Sequence, residues 1–326
     1  MSESGGVQVL KRAVFLDQGS LDRNDLDLSS IASQVDELVL FDKTAPTEVA
    51  QRLAGAQVAI VNKVVLDAEL IAALPELKLI CIAATGTNNV ELQAAADQGI
   101  VVSNCQGYGT ASVVQHTLCL MLALATRLSD YSAAVQRGDW GRSEQFCLLD
   151  YPIMELAGKT LGIVGYGELG QGVARLAEAL GMRVLIAARP GTTPTDGRLA
   201  LDELLPQVDL LSLHCPLTAE SRNLIDSRAL ALMKPGALLI NAARGGIVDE
   251  SALAQVLKSG HLGGAAMDVL SQEPPREGNV LLDSDIPNLI LTPHSAWGSR
   301  EARQRIVLQI GENIAAFSKS APIRTV

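Results

Sequence analysis

The chain has 326 residues, 48% hydrophobic but only 3% aromatic, so an aliphatic core is expected and a base-stacking platform is not. Acidic residues outnumber basic ones by 36 to 26, a formal net charge of -10, which argues against nucleic acid as the main partner. The five cysteines, Cys81, Cys105, Cys119, Cys147 and Cys215, form no CxxC pair and no close cluster with histidine, which points away from a disulfide framework or metal site and towards a reducing cytoplasm.

Met1–Lys11 lacks the apolar run and the small-residue cleavage pattern of a secretory signal. From there, short runs of Val, Ile and Leu alternate with amphipathic segments. The runs are Ala13–Leu16, Leu38–Phe41, Val58–Val61, Leu77–Ala83 and Ile100–Val102. After a gap come Thr160–Val164, Arg183–Ala187, Leu210–Leu213, Ala237–Ile240, Gly264–Asp268 and Asn288–Leu291. Continuous apolar strands between helices predict parallel sheets covered on both faces. Eleven strands exceed one comfortable open sheet, so two α/β units are expected. The Gly-rich segment 104–110 reads as the connection between them.

A helix is predicted over Ala111–Gln136, polar irregular chain over Asp139–Tyr151, and a long amphipathic helix over Ser299–Phe317. The uncharged stretch Gln98–Thr126 is interrupted by Gly107, Gly109, Gln115 and His116. Its continuous apolar part, Leu118–Ala125, is far short of the ~20 residues a membrane span needs. A helix buried in a core or a subunit interface is expected instead, with no membrane partner.

The sharpest motif is GxGxxG at Gly165, Gly167 and Gly170. An apolar strand precedes it, a helix over Gly170–Leu180 follows, and the run Arg183–Ala187 closes a βαβ unit. This context predicts a dinucleotide site. Gly165 permits the tight turn, Gly167 lets backbone approach a pyrophosphate, and Gly170 lets helix and strand pack closely. The helix start, with Glu168 and Leu169, offers N–H groups to the phosphates. After the next strand, Ala188 occupies the position where an acidic residue would hold a ribose 2′-hydroxyl. Arg189 follows at once and suits a 2′-phosphate. NADPH is therefore favoured, with NADH possible.

Three polar clusters then follow three strands: Arg244 after Ala237–Ile240, Glu273 after Gly264–Asp268, and His294 after Asn288–Leu291. Ligands of open parallel sheets bind at the carboxyl ends of strands, so the three are expected to share one pocket. Arg244 can hold a carboxylate and polarise a carbonyl. His294 can protonate the oxygen of a carbonyl that receives hydride, and Glu273 beside the ring would favour imidazolium and fix its orientation.

These residues carry a resemblance. Leu161–Gly170, His214–Thr218, Met233–Asp249, Gly264–Pro274 and Thr292–Trp297 resemble the signature segments of the D-isomer-specific 2-hydroxyacid dehydrogenases. So do 83–91 and 98–108, and together they cover nearly the whole chain. His294-Ser-Ala-Trp297 with Glu301-Ala-Arg303 is similar to the glycerate dehydrogenase branch, the hydroxypyruvate and glyoxylate reductases. The resemblance implies two Rossmann-like, doubly wound parallel-sheet domains with a cleft between them. Residues 1–107, completed by 300–326, would form a flavodoxin-like substrate domain, and 108–299 the dinucleotide domain. It implies Arg244, Glu273 and His294 as catalytic residues. It places Cys215, Pro216, Thr218, Ala242, Ala243 and Asp268 at the cofactor. Lys63, Thr85, Gly86, Arg244 and Trp297 would meet the substrate, with the segment Phe146–Asp150 shaping the pocket. No metal is implied, and the helix from Ala111 would be largely a homodimer interface. Gln115 stands where many relatives have Glu. The expected activity is reduction of a short 2-keto acid, hydroxypyruvate or glyoxylate, to D-glycerate or glycolate. A bulkier keto acid such as 2-ketogluconate, or a corepressor-like dinucleotide sensor, are the rival readings.

Overall fold

The computed structural model describes residues 9–189, 191–195 and 197–326. Most of the Met1–Lys11 segment, and Pro190, therefore lie outside the described residues. The chain divides into two compact units. One comprises the residues up to Gly109 together with Gly298–Val326, the other Thr110–Trp297.

The first unit holds a parallel sheet of β1 (Arg12–Phe15), β2 (Glu37–Leu40), β3 (Val58–Val61), β4 (Leu79–Ile82) and β5 (Val101–Ser103) in the order β2-β1-β3-β4-β5. Strands β3 and β4 are buried at every residue, as runs of Val, Ile, Leu, Ala and Cys allow. The edge strand β2 is only partly buried. The chain's end returns here. Ser299 accepts the Ala302 N–H at 3.1 Å and so caps the helix Arg300–Ser318. That helix buries Ile306, Val307, Ile310 and Ile314. Thr325 then bridges Ser103 antiparallel, and the Val326 N–H donates to the Val102 carbonyl at 3.1 Å, closing the free edge of β5.

The second unit holds β6 (Thr160–Val164), β7 (Arg183–Ile186), β8 (Leu210–Leu213), β9 (Leu238–Asn241), β10 (Gly264–Met267) and β11 (Leu289–Leu291). Their order is β11-β10-β9-β8-β6-β7, again wholly parallel. Two aliphatic clusters cover its faces, one around Leu211, Leu239 and Leu253, the other around Leu161, Ile163 and Leu124. The helix that follows the Gly-rich turn spans Glu168–Ala179, starting two residues before the expected Gly170. Gly172 on this helix has no Cβ, which leaves room for Val114.

The single helix expected over Ala111–Gln136 does not form. Two helices, Thr110–Thr126 and Leu128–Gln136, meet at a bend of 61°. The break is at Arg127, whose backbone is left-handed at φ 54°. Its Nε holds Asp130 at 2.6 Å and its guanidinium lies 5.3 Å from the centre of the Tyr151 ring. Side-chain bonds thus fix a bend that apolar periodicity does not reveal. The expected irregular stretch 139–151 contains a short helix, Asp139–Arg142. Among the described residues, no single helix is long and apolar enough to cross a membrane.

Candidate active site

The strand order of the second sheet reverses between β6 and β8, and the Gly-rich turn leaves β6 at that point. Gly165 has φ 92°, which a side chain rarely adopts, and a Cβ there would strike the backbone of His214 and Cys215 after β8. A Cβ on Gly170 would strike the Gly165 carbonyl. Gly167 differs, because a Cβ there would face open space. It is the N-cap of the helix Glu168–Ala179, and no side chain caps that end. The N–H groups of Glu168 and Leu169 therefore border room that a phosphate can fill. This cradle fits a dinucleotide pyrophosphate. The opposite wall is the 214–221 turn. There the Thr218 N–H donates to Ser221 Oγ at 2.7 Å, and Ser221 Oγ donates to the Pro216 carbonyl at 2.7 Å. Cys215 is buried in this wall, and burial raises its thiol pKa. His214 has Nε2 2.9 Å from Ser212 Oγ, while its buried Nδ1 has no partner among the described residues. Burial pushes its pKa down from 6.5 to about 4. Arg189 lies three residues beyond the end of β7 and is exposed.

The structure brings His294 and Glu273 together: Nδ1 lies 2.6 Å from Oε2. Both side chains are about one-third exposed, at 36% and 33%, so they are open to a ligand. A carboxylate accepts only, so Nδ1 carries a proton and Nε2 is the ring atom left for chemistry. Glu273 Oε1 accepts the Leu270 N–H at 2.8 Å, which fixes the carboxylate within its own loop. Arg244 is exposed after β9, with Nη1 donating to the Ala243 carbonyl at 2.7 Å. Its loop passes directly against that of Glu273, since a Cβ on Gly245 would strike the Leu270 carbonyl. Ala242 and Ala243 are buried at its base. Trp297 is half-buried, three residues beyond His294.

Asp268 is 1% exposed. Its Oδ1 accepts the Thr292 hydroxyl at 2.6 Å and the Ser295 N–H at 2.9 Å, and its Oδ2 accepts the Ala296 N–H at 2.9 Å. It also receives the His294 N–H on its carbonyl at 2.8 Å. Asp268 therefore organises the turn that presents His294, whose own φ is 52°.

Sequence reasoning assigned no role to several residues that brace these loops. Asn241, fully buried, accepts the Ala243 N–H at 3.1 Å and donates to the Arg244 carbonyl at 3.0 Å. Glu250 accepts the Ser271 N–H at 2.6 Å, the Ser271 hydroxyl at 2.7 Å and Asn279 Nδ2 at 2.7 Å, and so pins the loop carrying Glu273. A polar residue ending a buried strand was the available signal for Asn241. No pattern announces Glu250, which reads as an ordinary first-turn helix acid.

Lys63, Thr85 and Gly86 belong to the first unit. Lys63 follows β3, is exposed, and lines a cavity of about 520 Å³ with Asp17, Ser20, Arg23 and Lys43. Thr85 follows β4. Its hydroxyl donates to the Cys105 carbonyl at 2.9 Å and its carbonyl accepts Asn104 Nδ2 at 2.8 Å. The Thr85 side chain is thus spent on the turn, which leaves backbone N–H groups as what the Thr85–Gly86 segment can offer a ligand.

The fold, the glycine cradle and the histidine–carboxylate pair define a dinucleotide-dependent oxidoreductase. The profile of the D-isomer specific 2-hydroxyacid dehydrogenases, NAD binding domain, matches residues 118–296, and the chain belongs to this family. It is 47% identical over 313 residues to a glycerate dehydrogenase of Methylorubrum extorquens, covering 96% of this chain and 98% of that one. A hydroxypyruvate reductase of Blautia hydrogenotrophica is 35% identical, with 97% and 99% covered. Among solved structures, the NADPH-dependent glyoxylate/hydroxypyruvate reductase of Sinorhizobium meliloti, in complex with NADP and malonate, superposes with a TM-score of 0.80. It has 27% identity, with 97% of this chain and 96% of that chain covered.

Proposed function

We propose that the chain reduces a short 2-keto acid, hydroxypyruvate or glyoxylate, to D-glycerate or glycolate, with NADPH favoured over NADH. The observation that carries this is the His294–Glu273 pair at 2.6 Å, set at strand ends of the same sheet as the glycine cradle. A bound reduced nicotinamide dinucleotide supplies the hydride; Gly165, Gly167, Glu168, Leu169 and Gly170 would hold its phosphates, Cys215, Pro216 and Thr218 the opposite side, and Ala242, Ala243 and Asp268 the nicotinamide end. Arg244 holds the substrate carboxylate and draws charge towards the carbonyl oxygen. His294 gives its Nε2 proton to that oxygen as the hydroxyl forms, while Glu273 keeps the ring oriented through Nδ1. Trp297 limits the size of the substrate.

A solvent-open histidine with a dedicated carboxylate partner is the arrangement that proton transfer to a carbonyl oxygen needs, so the pair favours an enzyme over a dinucleotide sensor. A homodimer is part of the proposal. Leu122, Leu128, Val135, Trp140, Phe146 and Leu149 are all exposed, with Phe146 at 89% and Leu149 at 78%, too much apolar surface in one stretch to leave in water. A cytoplasmic location accords with five unpaired cysteines.

The test is a panel of 2-keto acids assayed with NADPH and NADH, beside His294→Ala. Hydroxypyruvate and glyoxylate should be the best substrates. The variant should lose about 10²–10⁴ in kcat, the worth of a positioned proton donor. Unchanged turnover would remove His294 from the mechanism, and a clear preference for 2-ketogluconate would replace the substrate.

A further inference from the structure

His116 lies early in the helix Thr110–Thr126, its side chain 21% exposed, with Nε2 3.1 Å from Thr292 Oγ1 and 3.6 Å from Asp268 Oδ1. No motif pointed to it. The proton positions in this triad follow from counting donors. The Thr292 hydroxyl has one proton and donates it to Asp268 Oδ1 at 2.6 Å. The Asp268 carboxylate accepts two further N–H groups, from Ser295 and Ala296. Three donors converge on this carboxylate, which in that role accepts and does not donate. The Thr292 oxygen therefore presents only lone pairs to His116, and the imidazole must be the donor, from Nε2.

We infer that His116 is a positioning residue for the reduction. Its Nε2–H holds the Thr292 hydroxyl against Asp268, and Asp268 holds the Ser295 and Ala296 N–H groups that shape the turn presenting His294. That turn needs holding, because His294 is a non-glycine residue at φ 52°. The ring must also meet Glu273 within 2.6 Å, so a small relaxation of the turn moves the proton donor away from the substrate. The inference rests on His294 as the proton donor.

The experiment uses His116→Leu, which keeps bulk but removes the donor, and His116→Gln, whose amide nitrogen can reach where Nε2 lies. It adds Thr292→Val, which replaces the hydroxyl with a methyl group. His116→Leu and Thr292→Val should lower kcat about ten- to a hundredfold with keto-acid KM within about twofold, since the proton donor and not the binding group is displaced. His116→Gln should recover most of the loss. A His116→Leu enzyme with parental kcat overturns the inference. So does a His116→Gln enzyme as slow as the leucine variant, because packing and not donation would then be at work. Imidazole ¹⁵N spectra of the parent resolve its four histidines. The His116 Nε2 should carry a proton, and an unprotonated Nε2 overturns the inference without reference to activity. A parent chain inactive on every 2-keto acid sinks the functional proposal and this one together. An active parent with an unaffected His116→Leu variant sinks this one alone.

Discussion

In both sheets the order in which the chain adds strands reverses once, between β1 and β3 in one unit and between β6 and β8 in the other, yet the two points are filled with opposite chemistry. After β1 comes Asp17, 7% exposed. Its carboxylate accepts the N–H groups of Asn62 at 2.8 Å, Lys63 at 2.6 Å and Val64 at 3.1 Å, all in the segment after β3. After β6 comes Gly165, whose missing side chain lets the segment after β8 close in, and Gly167, which leaves the start of a helix uncapped. Both places gather backbone N–H groups that call for an anion. One unit supplies its own carboxylate, and the other leaves the position to a ligand. A doubly wound sheet therefore does not make a dinucleotide site by itself. The residue that leaves the first strand decides.

The largest expected effect comes from spoiling the open site. Gly165→Ala forces a side chain onto φ 92° and against a backbone that cannot move aside. Dinucleotide affinity, read by fluorescence titration, should fall about a hundredfold or more, roughly 2.7 kcal/mol. An affinity within threefold of the parent would mean that the close approach is not needed. Spoiling the closed site should act on stability instead. Asp17→Asn keeps one acceptor oxygen but turns an amide NH₂ towards N–H groups that now lack a partner. A loss of about 1–3 kcal/mol is expected in thermal or urea unfolding, with dinucleotide affinity unchanged. A variant that kept its stability but lost dinucleotide would reverse the contrast between the two sites.

Part of this contrast was legible in the sequence. Val58–Val61, Thr160–Val164 and Leu210–Leu213 form strands over the same residues that apolar runs predict, because a strand covered on both faces must be apolar throughout. The glycine turn was legible too, because few residues other than glycine tolerate its backbone. Asp17 was not. It lies 45 to 47 residues from the N–H groups it satisfies, and an aspartate after a strand looks like any loop acid. The same holds for Glu250, which pins Ser271 from 21 residues away, and for His116, which meets Thr292 from 176 away. Local pattern reports what a residue does to its own segment. Bonds between distant segments need the fold. The bend at Arg127 failed for a related reason, since the apolar periodicity continues through it while the side chain of Arg127 turns to Asp130.

A smaller effect tests the far end of the open site. Arg189 is exposed beside β7, where a 2′-phosphate would arrive. The parent should prefer NADPH, and Arg189→Asp should move the NADPH/NADH ratio of kcat/KM at least about tenfold towards NADH, some 1.4 kcal/mol. A ratio that does not move would leave Arg189 as a surface charge and reopen the choice of cofactor.

The smallest effect at neutral pH belongs to His214, in the wall facing the glycine turn, and it emerges only in acid. Burial holds its pKa at about 4 against an ordinary 6.5. As pH falls below about 6.5 the unfolded chain takes up the proton first, while the folded ring stays neutral. The stability present above that pH is therefore lost progressively as pH drops towards 4. His214→Gln removes this titration. Its melting temperature should stay near the parent's at pH 7.5 and decline less steeply between pH 6.5 and 4. Asp17, already spent as an acceptor on three N–H groups, remains in both proteins, so whatever acid sensitivity the closed site has is common to the two curves. Parallel curves would show that the buried imidazole adds nothing, and that the open site's wall is no more acid-sensitive than the rest of the fold.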